Sequence, residues 1–211
     1  MKIALFGATG TIGRRIAQEA LARGHELTAI VRDPARLDVS HECLTAVKGD
    51  VLDAASVAAA VKGHDAVISA YGPGGSAPPR TLVDAAPSLI EGLGRAAVRR
   101  LVVVGGAGSL EVAPGVQLVD TPGFPAAWKP AALAHRDALA VYRTADLDWT
   151  YVSPAALIAP GERTGRFRIG TDRLVIDDKG ESRISAEDYA VALLDEVERP
   201  QFIRRRMTVG Y

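Results

Sequence analysis

The chain has 211 residues, 48% of them hydrophobic, and its 25 Lys and Arg are balanced by 25 Asp and Glu. That length suits a single domain spanning 1–211 with a full apolar core. A formal net charge of zero excludes nucleic acid and anionic membrane surfaces as partners recruited by bulk electrostatics.

The one cysteine, Cys43, excludes an intrachain disulfide framework and a multi-cysteine metal site. Beside Leu44 and near an expected strand, it reads as a buried, inert thiol in a reducing compartment. The first strand is expected from residue 2, which leaves no room for a signal peptide, and no apolar run reaches membrane-spanning length. A cytoplasmic location is therefore expected.

Lys2 to Phe6 reads as a short buried strand. It runs into Gly7-Ala8-Thr9-Gly10-Thr11-Ile12-Gly13, after which Ile12, Ile16, Ala17, Ala20 and Leu21 recur at helical spacing. Three glycines on a strand-to-helix turn are what a dinucleotide pyrophosphate needs. One permits the tight turn, one lets backbone approach the phosphates, and one lets helix and strand pack closely. The unpaired N–H groups and the positive helix end favour the anion.

The helix is expected over Thr11–Arg23, ended by Gly24. Strand two follows at Glu26–Val31, then the turn Arg32-Asp33-Pro34. Strand three is read at Cys43–Lys48, and a helix capped by Asp53 runs to Val61. Strand four is read at Asp65–Ala70, followed by a loop rich in Gly and Pro from Tyr71 to Pro79. An apolar stripe from Leu82 to Ala97 predicts a long helix in which Pro87 either kinks the helix or marks where its regular part begins. Arg100–Val104 is strand five, ending in Gly105-Gly106-Ala107-Gly108-Ser109.

The second half is less regular. Glu111 to Pro130, with four prolines, reads as a long loop, and such loops are often functional. A helix is expected over Ala131–Thr144, strand six over Trp149–Val152, and a loop over Ser153–Arg163. Phe167–Ile169 and Leu174–Ile176 read as a small hairpin. Ser185 should cap a helix from Ala186 to Val197, and Met207–Val209 adds a last strand.

Strands alternating with helices predict an α/β fold: a Rossmann-type doubly wound parallel sheet with helices on both faces and a small C-terminal substrate-side portion. The nucleotide-binding part would be about 1–110. Loops about 111–130 and 153–185 would lie on the substrate side. No His, Asp or Glu set shows metal-ligand spacing, so no metal is expected.

At the end of strand two, an NAD-specific site would carry an acid to accept from the ribose 2′-hydroxyl. Arg32 stands there instead. A guanidinium can pair with a 2′-phosphate and stack on adenine, which predicts NADP, with NAD possible if Asp33 turns inward. Arg36 or Arg14 could supply a second cation.

The succession GATGTIG, VRDP and GDVLD, with the loop after strand four, resembles the atypical short-chain dehydrogenase/reductases. Within them, VGGAGSL, DTPGFP, DWTYVSPA, PGERTG and the ending TVGY resemble the NAD(P)H-binding group of NmrA-like proteins, biliverdin reductase B-type flavin reductases and bacterial NADH-flavin reductases. The resemblance covers nearly the whole chain. It implies that Gly7, Thr9, Gly10, Thr11, Ile12 and Gly13 hold the pyrophosphate and that Arg32 meets the adenosine ribose. It implies that Asp50 and Val51 flank the adenine, while Ser69, Ala70 and Tyr71 line the nicotinamide ribose. Gly105, Gly106 and the residues to Ser109 would face the nicotinamide, with Ser153, Pro154 and Ala155 closing over it.

Typical members carry Tyr-x-x-x-Lys on the helix before strand six. Here Ala131 stands at the tyrosine position and His135 at the lysine position. Ser109, His135 and Tyr71 remain as catalytic candidates, His135 mainly as a ribose ligand and Tyr71 as a stacking residue or substitute acid. His25, His41 and His64 lie at turns and read as solvated. Lys129 reads as a rim residue. Arg163, Arg166 and Arg168 read as a solvated run or as the receptor for an anionic substrate.

The function so implied is an NAD(P)H-dependent oxidoreductase passing hydride to a small planar acceptor such as a flavin or quinone. The alternatives are a non-catalytic nucleotide sensor of NmrA type, or an epimerase or dehydratase of the extended family. The partner expected is a small-molecule acceptor, and the assembly a monomer or homodimer.

Overall fold

The computed structural model describes residues 1–72 and 77–211. In chain order they form β1 (Lys2–Phe6), α1 (Thr11–Ala22), β2 (Glu26–Val31), β3 (Leu44–Lys48), α2 (Ala54–Val61), β4 (Ala66–Ser69), α3 (Thr81–Ala96) and β5 (Arg100–Val104). There follow β6 (Glu111–Ala113), β7 (Val116–Gln117), α4 (Lys129–Tyr142), β8 (Asp148–Pro154), β9 (Leu157–Ala159), β10 (Arg168–Gly170), β11 (Arg183–Ser185), α5 (Ala186–Glu198) and β12 (Arg205–Gly210). Of the loop expected from Tyr71 to Pro79, Pro73 to Ser76 lie outside the described residues.

Eight strands form one sheet in the order β3-β2-β1-β4-β5-β8-β12-β10. Every adjacent pair is parallel except β10 with β12. The expected doubly wound α/β architecture is therefore present. Its order reverses between β1 and β4, which opens a crevice at the carboxyl ends of those strands.

Both faces are covered, so the central strands are apolar without alternation. α1 and α5 cover one face, with Ile16, Ala20, Tyr189 and Leu193 packed on Ile3, Leu5 and Ile68. α2, α3 and α4 cover the other, with Val57, Leu89, Leu93 and Leu139 packed on Phe6, Val67 and Val103. Each of the buried Val, Leu, Ile and Phe side chains contributes about 1.5–3 kcal/mol.

Local signals fix the helix ends. Asp53 accepts from Ala55 N–H at 2.9 Å and caps α2. Ser185 accepts from Asp188 N–H at 2.9 Å and caps α5, whose first turn also holds Glu187 and Asp188. α3 runs continuously through Pro87, six residues after its start, with the proline on the solvent face.

Several expectations are corrected. The segment 111–130 is not all loop, because β6 and β7 pair within it. The loop 153–163 contributes β9, which pairs with β11. No hairpin joins Phe167–Ile169 to Leu174–Ile176. β10 pairs instead with Thr208–Gly210 of β12, and Leu174 N–H donates to Glu111 O at 2.9 Å. A short run with strand propensity does not specify its partner, and here non-local partners take both halves.

His25 is buried and bonds Glu198 at 2.8 Å, while His64 bonds Thr28 Oγ1 at 2.8 Å, so neither is a solvated turn residue. Cys43 is half-buried, against the expected full burial. No described helix is long and apolar enough to cross a membrane.

Candidate functional site

A cleft of about 1010 Å³ lies at the switch point. Gly7, Thr9, Gly10, Thr11, Ile12 and Gly13 form one wall, with Arg32 and Arg36 at one end and Ala70, Tyr71, Gly105, Gly106, His135, Pro154 and Ala155 toward the other.

The three glycines have separable reasons. Gly7 has φ +81°, and a Cβ there would lie 2.3 Å from Ala70 O. A Cβ on Gly13 would lie 2.0 Å from Gly7 O. Both are demanded by the fold itself. Gly10 is different: it has extended backbone and a Cβ there would make only an ordinary contact, 3.4 Å from Gly7 O. The fold leaves room at Gly10, on the wall of the cleft.

α1 begins at that glycine with no side-chain cap and no acid in its first turn. Gly10 N–H bonds Gly7 O at 3.0 Å, which leaves the N–H groups of the first turn for a ligand. α5, capped by Ser185, has its own acids at the same place. An uncapped helix start beside a glycine wall suits a pyrophosphate. The residues present thus fit an NAD(P) cofactor.

At the end where the sequence places the adenosine, Arg32 and Arg36 line the cleft and are exposed, with no carboxylate partner among the described residues. Asp33 is committed elsewhere: its Oδ1 accepts from Ala35 N–H at 3.1 Å and caps the single turn Pro34–Arg36. Arg14 is committed too, donating to Thr9 O at 3.1 Å and pairing with Asp38 at 2.8 Å. Asp50 and Val51 line a neighbouring recess that shares Gly7, Thr9, Arg32 and Tyr71 with the main cleft.

At the other end, Ala131 and His135 lie one turn apart on α4. His135 is half-buried, and desolvation lowers its pKa from 6.5 to about 4, so it is neutral near pH 7. Tyr151 Oη donates its single proton to His135 O at 2.9 Å and also lies 3.0 Å from His135 Nδ1. The second contact therefore needs the imidazole to donate. That fixes the Nδ1–H tautomer and leaves Nε2 as an acceptor with no partner among the described residues.

Gly105 and Gly106 exist to accommodate this pair. A Cβ at Gly105 would lie 2.2 Å from the Tyr151 ring, and one at Gly106 would lie 2.9 Å from His135 Cβ. Burial raises the Tyr151 pKa well above its usual value, so it stays a phenol. The sequence reading missed Tyr151. Its only signal was a tyrosine in strand six, pointing to the face that α4 covers.

Five expected site residues do not line the main cleft: Asp50 and Val51, which line the neighbouring recess, and three serines. Ser109 is buried, and its Oγ and carbonyl accept from Arg206 Nη1 at 2.8 and 3.1 Å. It lies in a turn closed by Leu110 N–H to Ala107 O at 2.9 Å. Ser153 is fully buried, and its hydroxyl has no partner among the described residues. Ser69 is buried and borders a small void shared with Tyr71 and His135. Arg163 pairs with Glu19 at 2.8 Å, and Arg168 bonds Ile176 O and Tyr211 O.

The comparisons agree with this geometry. Residues 7–200 match the model of the NAD(P)H-binding family. The chain is 41% identical over 215 residues to the uncharacterised protein YwnB of Bacillus subtilis, covering 99% of this chain and 98% of that one. A solved Burkholderia pseudomallei structure, provisionally named an exported protein, is 56% identical, with full coverage of both chains and a TM-score of 0.92. One from Streptococcus pneumoniae, provisionally named an NADH-flavin reductase, is 36% identical, with 100% and 99% coverage and a TM-score of 0.88. The chain therefore belongs to the NAD(P)H-binding family, in the atypical short-chain dehydrogenase/reductase group.

Proposed function

We propose that the protein is a reductase that passes hydride from NAD(P)H, with NADPH preferred, to a planar acceptor such as a quinone or flavin. The observation that carries this reading is the pairing of a nucleotide cleft with Ala131 where a catalytic tyrosine would stand. Alcohol and ketone chemistry needs a positioned acid. A conjugated ring acceptor can take its proton from water, so such a site needs mainly to bind and orient.

The bound nicotinamide supplies the hydride. The chain's own residues supply the rest. Gly10 and the start of α1 receive the pyrophosphate, and Arg32 with Arg36 supplies positive charge for a 2′-phosphate. His135 Nε2 accepts from a ribose hydroxyl, where the group's usual lysine would donate. Ser109, held by Arg206, takes no part. The half-buried single thiol fits a cytosolic setting.

A non-catalytic nucleotide sensor also suits the missing tyrosine. Loss of NADPH absorbance with a panel of quinones and flavins separates the two. Turnover supports the reductase; tight NADPH binding with no consumption by any acceptor supports the sensor.

A further inference from the structure

A second cavity of about 260 Å³ opens beside the nicotinamide end of the cleft, and Ala107 and Ala156 line both. Its walls are Leu118, Phe124, Pro125 and Trp128, and its floor is Ala131 and Ala132 of α4. A Cβ on Gly108 would lie 2.7 Å from Ala132 Cβ, so loop and helix already touch and close the floor. No charged side chain lines the cavity among the described residues, and Pro73 to Ser76 carry no charge. Among the described residues its one hydroxyl, on Thr121, is spent on Leu118 O at 2.8 Å.

Charge is thus segregated along the site. Arg32 and Arg36 stand at the adenosine end, and the three arginines read as an anion receptor, Arg163, Arg166 and Arg168, line neither cavity.

From this we infer that the cavity is the acceptor subsite and that it selects a neutral quinone ring over sulfonated or phosphate-bearing acceptors. This rests on the reductase reading. A ring laid on the flat alanine floor gains apolar contact and aromatic neighbours in Phe124 and Trp128. An anionic substituent would lose water and find no cation. In the reaction the quinone gains a hydride, two electrons and one proton, from the reduced dinucleotide. It gains a second proton from water, and hydroquinone and oxidised dinucleotide leave.

The test uses menadione, a naphthoquinone sulfonate and FMN, each titrated against the NADP-loaded protein. Of the two tryptophans, Trp149 is buried at 4% exposure and Trp128 is 52% exposed, so Trp128 fluorescence reports binding independently of turnover. Equilibrium dialysis supplies dissociation constants for variants that lack it.

Menadione should bind at least about tenfold more tightly than the sulfonate or FMN. Ala131→Asp and Trp128→Ala should each weaken menadione about five- to tenfold and leave NADPH affinity unchanged. Equal affinity for all three probes, or unchanged menadione binding in both variants, would overturn the subsite. Menadione bound with these dependences but never reduced would overturn the reductase reading alone. Menadione bound and reduced by both variants as by wild type would overturn the subsite alone.

Discussion

Gly10 and Gly13 look alike in sequence, yet a side chain would meet a very different neighbour at each. At Gly13 a Cβ would strike Gly7 O at 2.0 Å, whereas at Gly10 it would meet only that oxygen at 3.4 Å. Gly13→Val should therefore fold poorly. Gly10→Val should fold as wild type and lose nucleotide binding, as seen by calorimetry beside circular dichroism. Undiminished NADPH affinity in folded Gly10→Val would misplace the pyrophosphate.

His135 and Arg32 carry two further expectations at the residue scale. Nitrogen NMR should show His135 neutral and protonated on Nδ1 at pH 7. Tyr151→Phe should release that tautomer and weaken NADPH binding about three- to tenfold, since one hydrogen bond is worth about 0.5–1.5 kcal/mol. An unchanged tautomer and affinity would remove Tyr151 from the account. Arg32→Ala should cost NADPH about ten- to a hundredfold in affinity, the worth of a charge-assisted pair of about 1.5–3 kcal/mol. It should leave NADH nearly unchanged; equal loss of both would contradict the assignment.

These glycines, Arg32 and His135 were legible because each is fixed by its spacing from a strand end or within one helix. The occupation of Ser109 by Arg206, 97 residues away, was not. No local pattern announces a contact made only by tertiary folding.

Among the elements, the central strands and helices were readable because caps and apolar runs are local. Asp53 and Ser185 start their helices where the sequence puts them, and β1, β2 and β5 span the expected residues. The peripheral strands were not readable. β10 needs Thr208 to Gly210 for its pairing, and nothing in Arg168–Gly170 points there.

Pro87 remained open between a kink and a helix start, and α3 passes through it. Its ring removes the hydrogen bond to Val83 O, a cost limited by its solvent-facing position. Pro87→Ala should raise the unfolding free energy by about 1–2 kcal/mol in denaturant titration. A loss of stability would mean that the proline is required for the path of α3.

Across the whole molecule, ion pairs tie α1 to the C-terminal portion. Glu19 accepts from Arg163 and Arg23, and Arg23 reaches Asp195 and Glu198. The Arg163 hydrogen bonds, opposed by burial and helped by Arg23, lower the Glu19 pKa from 4.5 to about 2. Its contribution is complete above the unfolded value and is lost as pH falls from 4.5 toward 2.

His135 acts in the next window. With a folded pKa of about 4 against 6.5, the unfolded chain binds more protons between those values, so stability falls as pH drops from 6.5 to 4. Urea midpoints measured from pH 7 to 3 should decline in both windows. Glu19→Gln should flatten the lower one only, and an unchanged lower limb would discount the pair.

The same neutral His135 bears on the central claim, that this fold passes hydride to a ring without a protein acid. The decisive measurement is steady-state NADPH oxidation with menadione, followed by kcat from pH 5.5 to 8.5, a range chosen to lie more than about one unit above the His135 pKa. The account predicts one NADPH consumed per hydroquinone formed, and a kcat that stays flat across that range. NADPH that binds but is never consumed, or a kcat governed by an ionisation within the range, would contradict it.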